Sequence, residues 1–149
     1  MSLPIILQPS EGKSVTIGTS TCTFKLTGKD THGHFGLFEF TLEPETDGAS
    51  PHIHKEMTET FYVLEGEVEL VLGQEKITAV SGTLMNVPEN TRHGFSNPSS
   101  MPAKMLIMFC PADSREQYFE GLAELTKDGR KPTQKELLEL TQKFDQYPA

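Results

Sequence analysis

From residue 13 to residue 110 the chain is cut into short runs of β-branched, aromatic and aliphatic residues, most of them closed by glycine, proline, asparagine or serine. Runs fall near 13–17, 21–26, 35–42, 52–54, 59–64, 67–72, 75–80, 84–87, 93–97 and 103–110. Strand-forming segments recurring about every 8–12 residues, with turn residues between them, predict an all-β sandwich or barrel. Phe38, Phe40 and Leu42 share one face of their run and Phe35 and Leu37 the other, which predicts cover on both faces. Val68, Leu70 and Leu72 alternate with Glu67, Glu69 and Val71, the pattern of a half-buried strand. Gly73-Gln74 and Ser81-Gly82 predict turns, and Pro88 ends the run before it.

After Pro111 the period changes. Ser114-x-x-Gln117 and Thr133-x-x-Glu136 read as capping boxes. Tyr118, Leu122 and Leu125 follow the first at helical spacing, and Leu137, Leu140, Phe144 and Tyr147 follow the second. Two amphipathic helices need an apolar surface, supplied by the β domain or by a partner subunit. The expected organisation is a β domain over 1–111 and a helical extension over 112–149.

Bulk properties narrow the function. At 149 residues the chain is long enough for one well-cored domain with an appendage. A net charge of −8 with no basic stripe argues against a nucleic-acid partner. No stretch approaches the roughly 20 apolar residues of a membrane span. The start, residues 1–7, lacks the basic segment and apolar length of a signal peptide. Cys22 and Cys110 lie far apart with no CxxC spacing and read as two buried free thiols. The expectation is a soluble, cytoplasmic protein.

The chemistry concentrates at Pro51-His52-Ile53-His54 and at Glu59. Alternate side chains on a strand share a face, so His52 and His54 project together. Glu59 can fold back to join them, and His93, opening a later strand, is the third imidazole. His52, His54, Glu59 and His93 could therefore surround one divalent transition ion, with Fe, Mn, Ni, Cu and Zn all compatible with the donors. His32 and His34 flank Gly33 in a loop without a carboxylate at suitable spacing and read as solvated. Phe61, Val63, Met85, Phe95, Met105 and Met108 read chiefly as core, with one or two free to line a cavity. Arg92, beside His93, would point away from the interior.

These residues resemble the two motifs of the cupin superfamily. His52-x-His54-x-x-x-x-Glu59 followed by Gly66 matches the first, and Gly82, Pro88, His93 and Asn97 match the second. Two departures occur: if Gly48 is the glycine that precedes the first histidine, its loop is short, and Asn90 stands where glycine is usual. Asparagine tolerates the left-handed conformation such a turn needs. The resemblance implies a cupin β-barrel (a double-stranded β-helix, or jelly roll), and the helical tail resembles the bacterial quercetin-dioxygenase-like members. It implies a metal-dependent dioxygenase acting on a small enol, diketone or phenolic compound, with Glu59 serving as ligand and general base. The alternatives are an isomerase or epimerase of a sugar or keto acid, which calls for a basic residue aimed at the metal, and a non-catalytic binding module. A homodimer is expected, with the N-terminal segment along a partner's sheet edge.

Overall fold

The computed structural model describes residues 3–149; Met1 and Ser2, where the apolar start of the sequence begins, lie outside the described residues. The strands are β1 (Lys13–Ile17), β2 (Ser20–Leu26), β3 (Gly36–Leu42), β4 (Thr46–Asp47), β5 (His52–Ile53) and β6 (Thr58–Glu65). They continue with β7 (Glu67–Leu72), β8 (Glu75–Val80), β9 (Leu84–Val87), β10 (His93–Asn97) and β11 (Ala103–Cys110). Helices α1 (Arg115–Leu125) and α2 (Gln134–Lys143) follow, joined through a short 3-10 turn at Lys127–Gly129, and a last strand β12 (Tyr147–Pro148) ends the chain.

The strands form two six-stranded sheets, ordered β1-β2-β3-β11-β6-β9 and β12-β5-β10-β7-β8, with β4 added beside β10. The pairings are antiparallel, and the hydrogen-bonded ladders stay as two facing sheets without closing into one continuous barrel. This is the all-β jelly-roll class expected, in its sandwich form. Alternation places Phe38, Phe40 and Leu42 of β3 and Met105, Ile107 and Phe109 of β11 in the core. The opposite face of β3 is only half-buried, so cover on both faces is partial.

Turn chemistry does what the residue types allow. β7 and β8 are joined by Gly73-Gln74 in a two-residue turn, with Gly73 at φ 61°. Asn90 adopts φ 61°, the left-handed conformation its side chain tolerates, and its amide donates to the His54 carbonyl at 2.6 Å. Gly66 turns at φ 72°, and a Cβ there would meet the Pro102 carbonyl oxygen at 2.4 Å. Asn97 is fully buried and bridges strand ends, its Nδ2 donating to the carbonyls of Leu42, Glu43 and Met101. Cys22 is a buried free thiol as expected, whereas Cys110 is a free thiol at the surface, because it lies at the outward-facing end of β11.

Helix α1 packs beside β1, and α2 packs on α1. Phe119 of α1 reaches the inward-facing rings of Phe24, Phe38, Phe40 and Phe109 at centroid distances of 4.8–6.5 Å. The helical segment therefore lies on the β sandwich and shares its core. The Thr133 capping box forms, with Thr133 and Glu136 exchanging backbone-to-side-chain bonds at 2.8 and 3.2 Å. The Ser114 box does not: Ser114 occupies the N-cap without a side-chain bond. Helix α2 also stops at Lys143, so Tyr147, expected on its apolar face, instead pairs with Ile53 as part of β12. The turn between them is made by Asp145 at φ 54°.

Candidate metal centre

Strand β5 contributes His52, the residue just beyond it is His54, β6 contributes Glu59 and β10 opens with His93. His93 is the register partner of His52, so two antiparallel neighbours deliver two imidazoles directly opposite each other. All four side chains are buried, none more than 5% exposed. Their candidate ligand atoms lie within 4.8 Å of one another. Oε2 of Glu59 stands 2.6 Å from Nε2 of His93, 2.9 Å from Nε2 of His54 and 3.8 Å from Nε2 of His52.

The tautomers follow from what surrounds the rings. Nδ1 of His52 faces the Ser50 carbonyl at 2.7 Å, Nδ1 of His54 the Asp145 carbonyl at 2.6 Å, and Nδ1 of His93 the Thr91 carbonyl at 2.8 Å. A carbonyl only accepts, so each Nδ1 must carry the proton and donate it. In the neutral rings the three Nε2 lone pairs then converge on a carboxylate that can itself only accept. Four acceptors packed this closely need positive charge between them, either protons or a metal cation. Three imidazoles oriented by backbone carbonyls, with one carboxylate, form a donor set that fits a divalent transition ion.

The electrostatics agree. Burial opposes ionisation of Glu59, but the surrounding imidazoles of His52, His54 and His93, when their Nε2 atoms carry protons, outweigh it and hold the carboxyl well below the usual carboxylate range. Burial pushes the His52 imidazole down. Burial acts likewise on His93, yet the Glu59 carboxylate overcomes it and raises that imidazole. Without an ion these two histidines oppose each other in stability. His52, with a lowered pKa, costs stability as the pH falls through about 6.5. His93, with a raised pKa, loses its contribution as the pH rises from about 6.5 through its folded value. Ion content is the cleaner readout, because ligation needs neutral Nε2 atoms. A loaded protein is expected to keep its ion at neutral pH and release it as the pH falls below about 6.5, measured by elemental analysis after dialysis across that range.

The cluster opens on a cavity of about 370 Å3 between the sheets and the helices. His52 and Glu59 are in its wall, and most of the remainder is apolar, including Phe40, Leu42, Phe95 and Leu138. Of the side chains considered from the sequence, Phe95 lines this cavity. Phe61, Val63, Met85 and Met105 are core, and Met108 is half-buried on the outer face of β11. Gly48 packs against the Phe95 ring, where a Cβ would come within 2.4 Å of the aromatic carbons. His32 and His34 are exposed on their loop, outside the cluster. Arg92 points outward to the carbonyls of Gly73 and Ala149.

Two contributions were missed by sequence reasoning. Asp145 supplies the carbonyl that orients His54, and its carboxylate accepts from the amides of Lys55 and Glu56, both at 2.8 Å. Asp145→Ala keeps that carbonyl but removes the carboxylate that fixes its position, and is expected to weaken metal binding by about 10-fold, the low end of the effect of disturbing groups that orient a ligand, with the fold intact by circular dichroism. Arg115, at the start of α1, is only 2% exposed and lines the same cavity. No spacing rule pointed to either, because Asp145 acts across about 90 residues of chain and Arg115 is bonded to residues about 30 positions away.

Residues 38–109 match the Cupin domain family (Cupin_2). With the jelly-roll sandwich already described, that match decides the relationship. The chain is a member of the cupin superfamily. It is similar to quercetin 2,3-dioxygenase of Bacillus subtilis (strain 168), with 34% identity over 95 residues, covering 62% of this chain and 27% of that protein. The chain thus spans about a quarter of the length of that curated relative. A sugar phosphate isomerase of the cupin superfamily from Silicibacter pomeroyi superposes with a TM-score of 0.57 and 26% identity, covering 64% of this chain and 61% of that one. A predicted oxalate decarboxylase from Thermotoga maritima superposes with a TM-score of 0.66 and 16% identity, covering 72% of this cupin and 99% of that chain. The cupin fold therefore hosts several reactions, and the site must discriminate among them.

Proposed function

We propose that this cupin is a metal-dependent oxygenase acting on a small enol, diketone or phenolic compound. The observation that carries the reading is a buried, acceptor-only cluster of three histidines and one glutamate in the wall of an otherwise apolar cavity of about 370 Å3. Similarity to quercetin 2,3-dioxygenase over 95 residues supports it. His52, His54, Glu59 and His93 would hold the ion, and a redox-active divalent ion supplies the one-electron chemistry by which dioxygen reacts with an electron-rich enolate. The chain's own residues do the rest. The Glu59 carboxylate, ionised and buried, is placed to take the proton from an incoming enol or phenol hydroxyl. Phe40, Phe95 and Leu138 hold an aromatic or aliphatic body by contact and keep bulk water out.

Oxygen uptake tests the reading directly. Protein loaded in turn with Fe, Mn, Ni and Cu is expected to consume dioxygen in proportion to substrate with at least one member of a flavonol and β-diketone panel. Absence of uptake with every pairing would sink it. A second reading, isomerisation of a keto acid, is favoured by Arg115, the basic residue in the cavity wall that such a reaction calls for, and turnover under strict anaerobiosis would select it. A bound organic ligand with no metal in elemental analysis would select a binding module.

The proposal includes a homodimer, because Leu3 and Ile6 each stand 82% exposed and need a covering surface. A monomeric mass by light scattering would reject it. It also includes a cytoplasmic location, which two free thiols suit; no helix of the described residues is long and apolar enough to cross a membrane.

A further inference from the structure

Arg115 is a buried cation without a carboxylate partner. Its Nη1 donates to the Phe144 carbonyl at 2.8 Å and its Nη2 to Oε1 of Gln146 at 2.6 Å, both neutral acceptors. Among the described residues, its Nε is the one buried side-chain nitrogen or oxygen left without a hydrogen bond. The guanidinium is held in place by three rings, 4.0 Å from the centroid of Tyr118, 4.5 Å from Phe109 and 5.6 Å from Phe119.

Burying an uncompensated charge is costly, and proteins normally supply a counter-charge or a ligand. A guanidinium that served only to tie α1 to residues 144–146 would be expected to have its Nε satisfied too. Here Nε is unsatisfied, and the side chain borders the cavity that also contains His52 and Glu59. The remainder of that wall is largely apolar, which leaves Arg115 as the cation in it able to receive an anion.

We infer that Arg115 is a substrate anchor that receives a carboxylate, and that the ligand of this cavity is a small apolar molecule with one carboxylate at the Arg115 end and its reacting oxygen at the His52–Glu59 end. A planar, fixed guanidinium with a free N–H matches a carboxylate oxygen in geometry as well as in charge. The inference rests on reading the cavity as the substrate site and refines the proposed substrate to an acid; it does not require that the reaction consume dioxygen.

Benzoate and its uncharged counterpart benzamide have nearly the same shape and separate charge from fit. Isothermal titration of metal-free protein at pH 7 is expected to show benzoate binding about 10- to 100-fold tighter than benzamide, the range of a hydrogen bond to a charged group. Arg115→Gln is expected to remove that preference, and Arg115→Lys to restore part of it. Because Arg115→Gln could disturb the 144–146 segment, the wild-type protein carries an independent readout. Its buried Arg115 Nε–H resonance is expected to shift further downfield on addition of benzoate than of benzamide, whose carbonyl is a neutral and weaker acceptor. Equal affinity for the two probes in the wild type, a preference that survives in a folded Arg115→Gln protein, or an Nε–H signal indifferent to benzoate would each overturn the assignment. Neither measurement depends on turnover, so a failed oxygen-uptake assay leaves this inference standing, and its own failure leaves the oxygenase reading untouched.

Discussion

His93→Ala is expected to lower affinity for a divalent transition ion by at least about 100-fold while the β sandwich stays folded. Groups that merely orient a ligand already cost about 10- to 100-fold when removed, so losing a ligand itself sets a floor near the top of that range. The fold should survive because β10 is held by its backbone pairing to β7 and β5, which alanine preserves. What changes is local: the Glu59 carboxylate loses its shortest contact, at 2.6 Å, and keeps His54 at 2.9 Å. Competition against a chromophoric chelator measures the loss. Arg92→Ala is the control, since that side chain reaches outward to the Gly73 and Ala149 carbonyls, and it should bind the ion like the wild type. Equal affinity in His93→Ala would remove the four-residue cluster from consideration as the metal centre.

Phe38→Ala is expected to destabilise the protein by about 3–5 kcal/mol, the range for truncating a buried phenylalanine. Phe38 is fully buried and touches Phe24, Phe109 and Phe119 at centroid distances of 5.4, 5.9 and 4.8 Å. Those neighbours come from β2, β11 and α1, so collapse around the void would require two strands and a helix to move together. For a chain of this size the change corresponds to a fall of about 10–15 °C in Tm. Urea denaturation gives the free energy directly; a loss below about 1 kcal/mol would mean that α1 does not share the core of the sandwich as described.

The cluster of three histidines and a glutamate was legible because its parts obey local rules. His52 and His54 lie two residues apart, Glu59 follows at a fixed spacing, and His93 begins a run of its own. Asn90 was legible for a similar reason, since few residues suit φ 61°. The helical end was read less well. The Ser114 motif has the right letters, but the chain reaches α1 through Asp113 at φ 49°, and Ser114 itself sits at φ −117°, ψ 44°, so its hydroxyl caps nothing. Tyr147 has the right spacing to continue α2, but the left-handed turn at Asp145 ends the helix and pairing with Ile53 takes the residue instead. Arg115 reads in sequence as one of several charged residues on a surface helix. Its burial depends on Phe109, Phe144 and Gln146 arriving from other parts of the chain, and helical periodicity carries no trace of that.

Asp145 holds the His54 ring with its carbonyl and the amides of Lys55 and Glu56 with its carboxylate, 89 to 91 residues away in the chain. Thermodynamic linkage makes this contact work in both directions. If docking of the C-terminal turn fixes the His54 tautomer and so favours ion capture, a captured ion must oppose undocking by the same free energy. Metal loading should therefore slow amide hydrogen exchange at Lys55, Glu56 and Ala149, the last of which donates to the Pro51 carbonyl at 3.1 Å. The C-terminal turn then acts as a reporter of the state of a centre whose His54 lies 91 residues before Asp145.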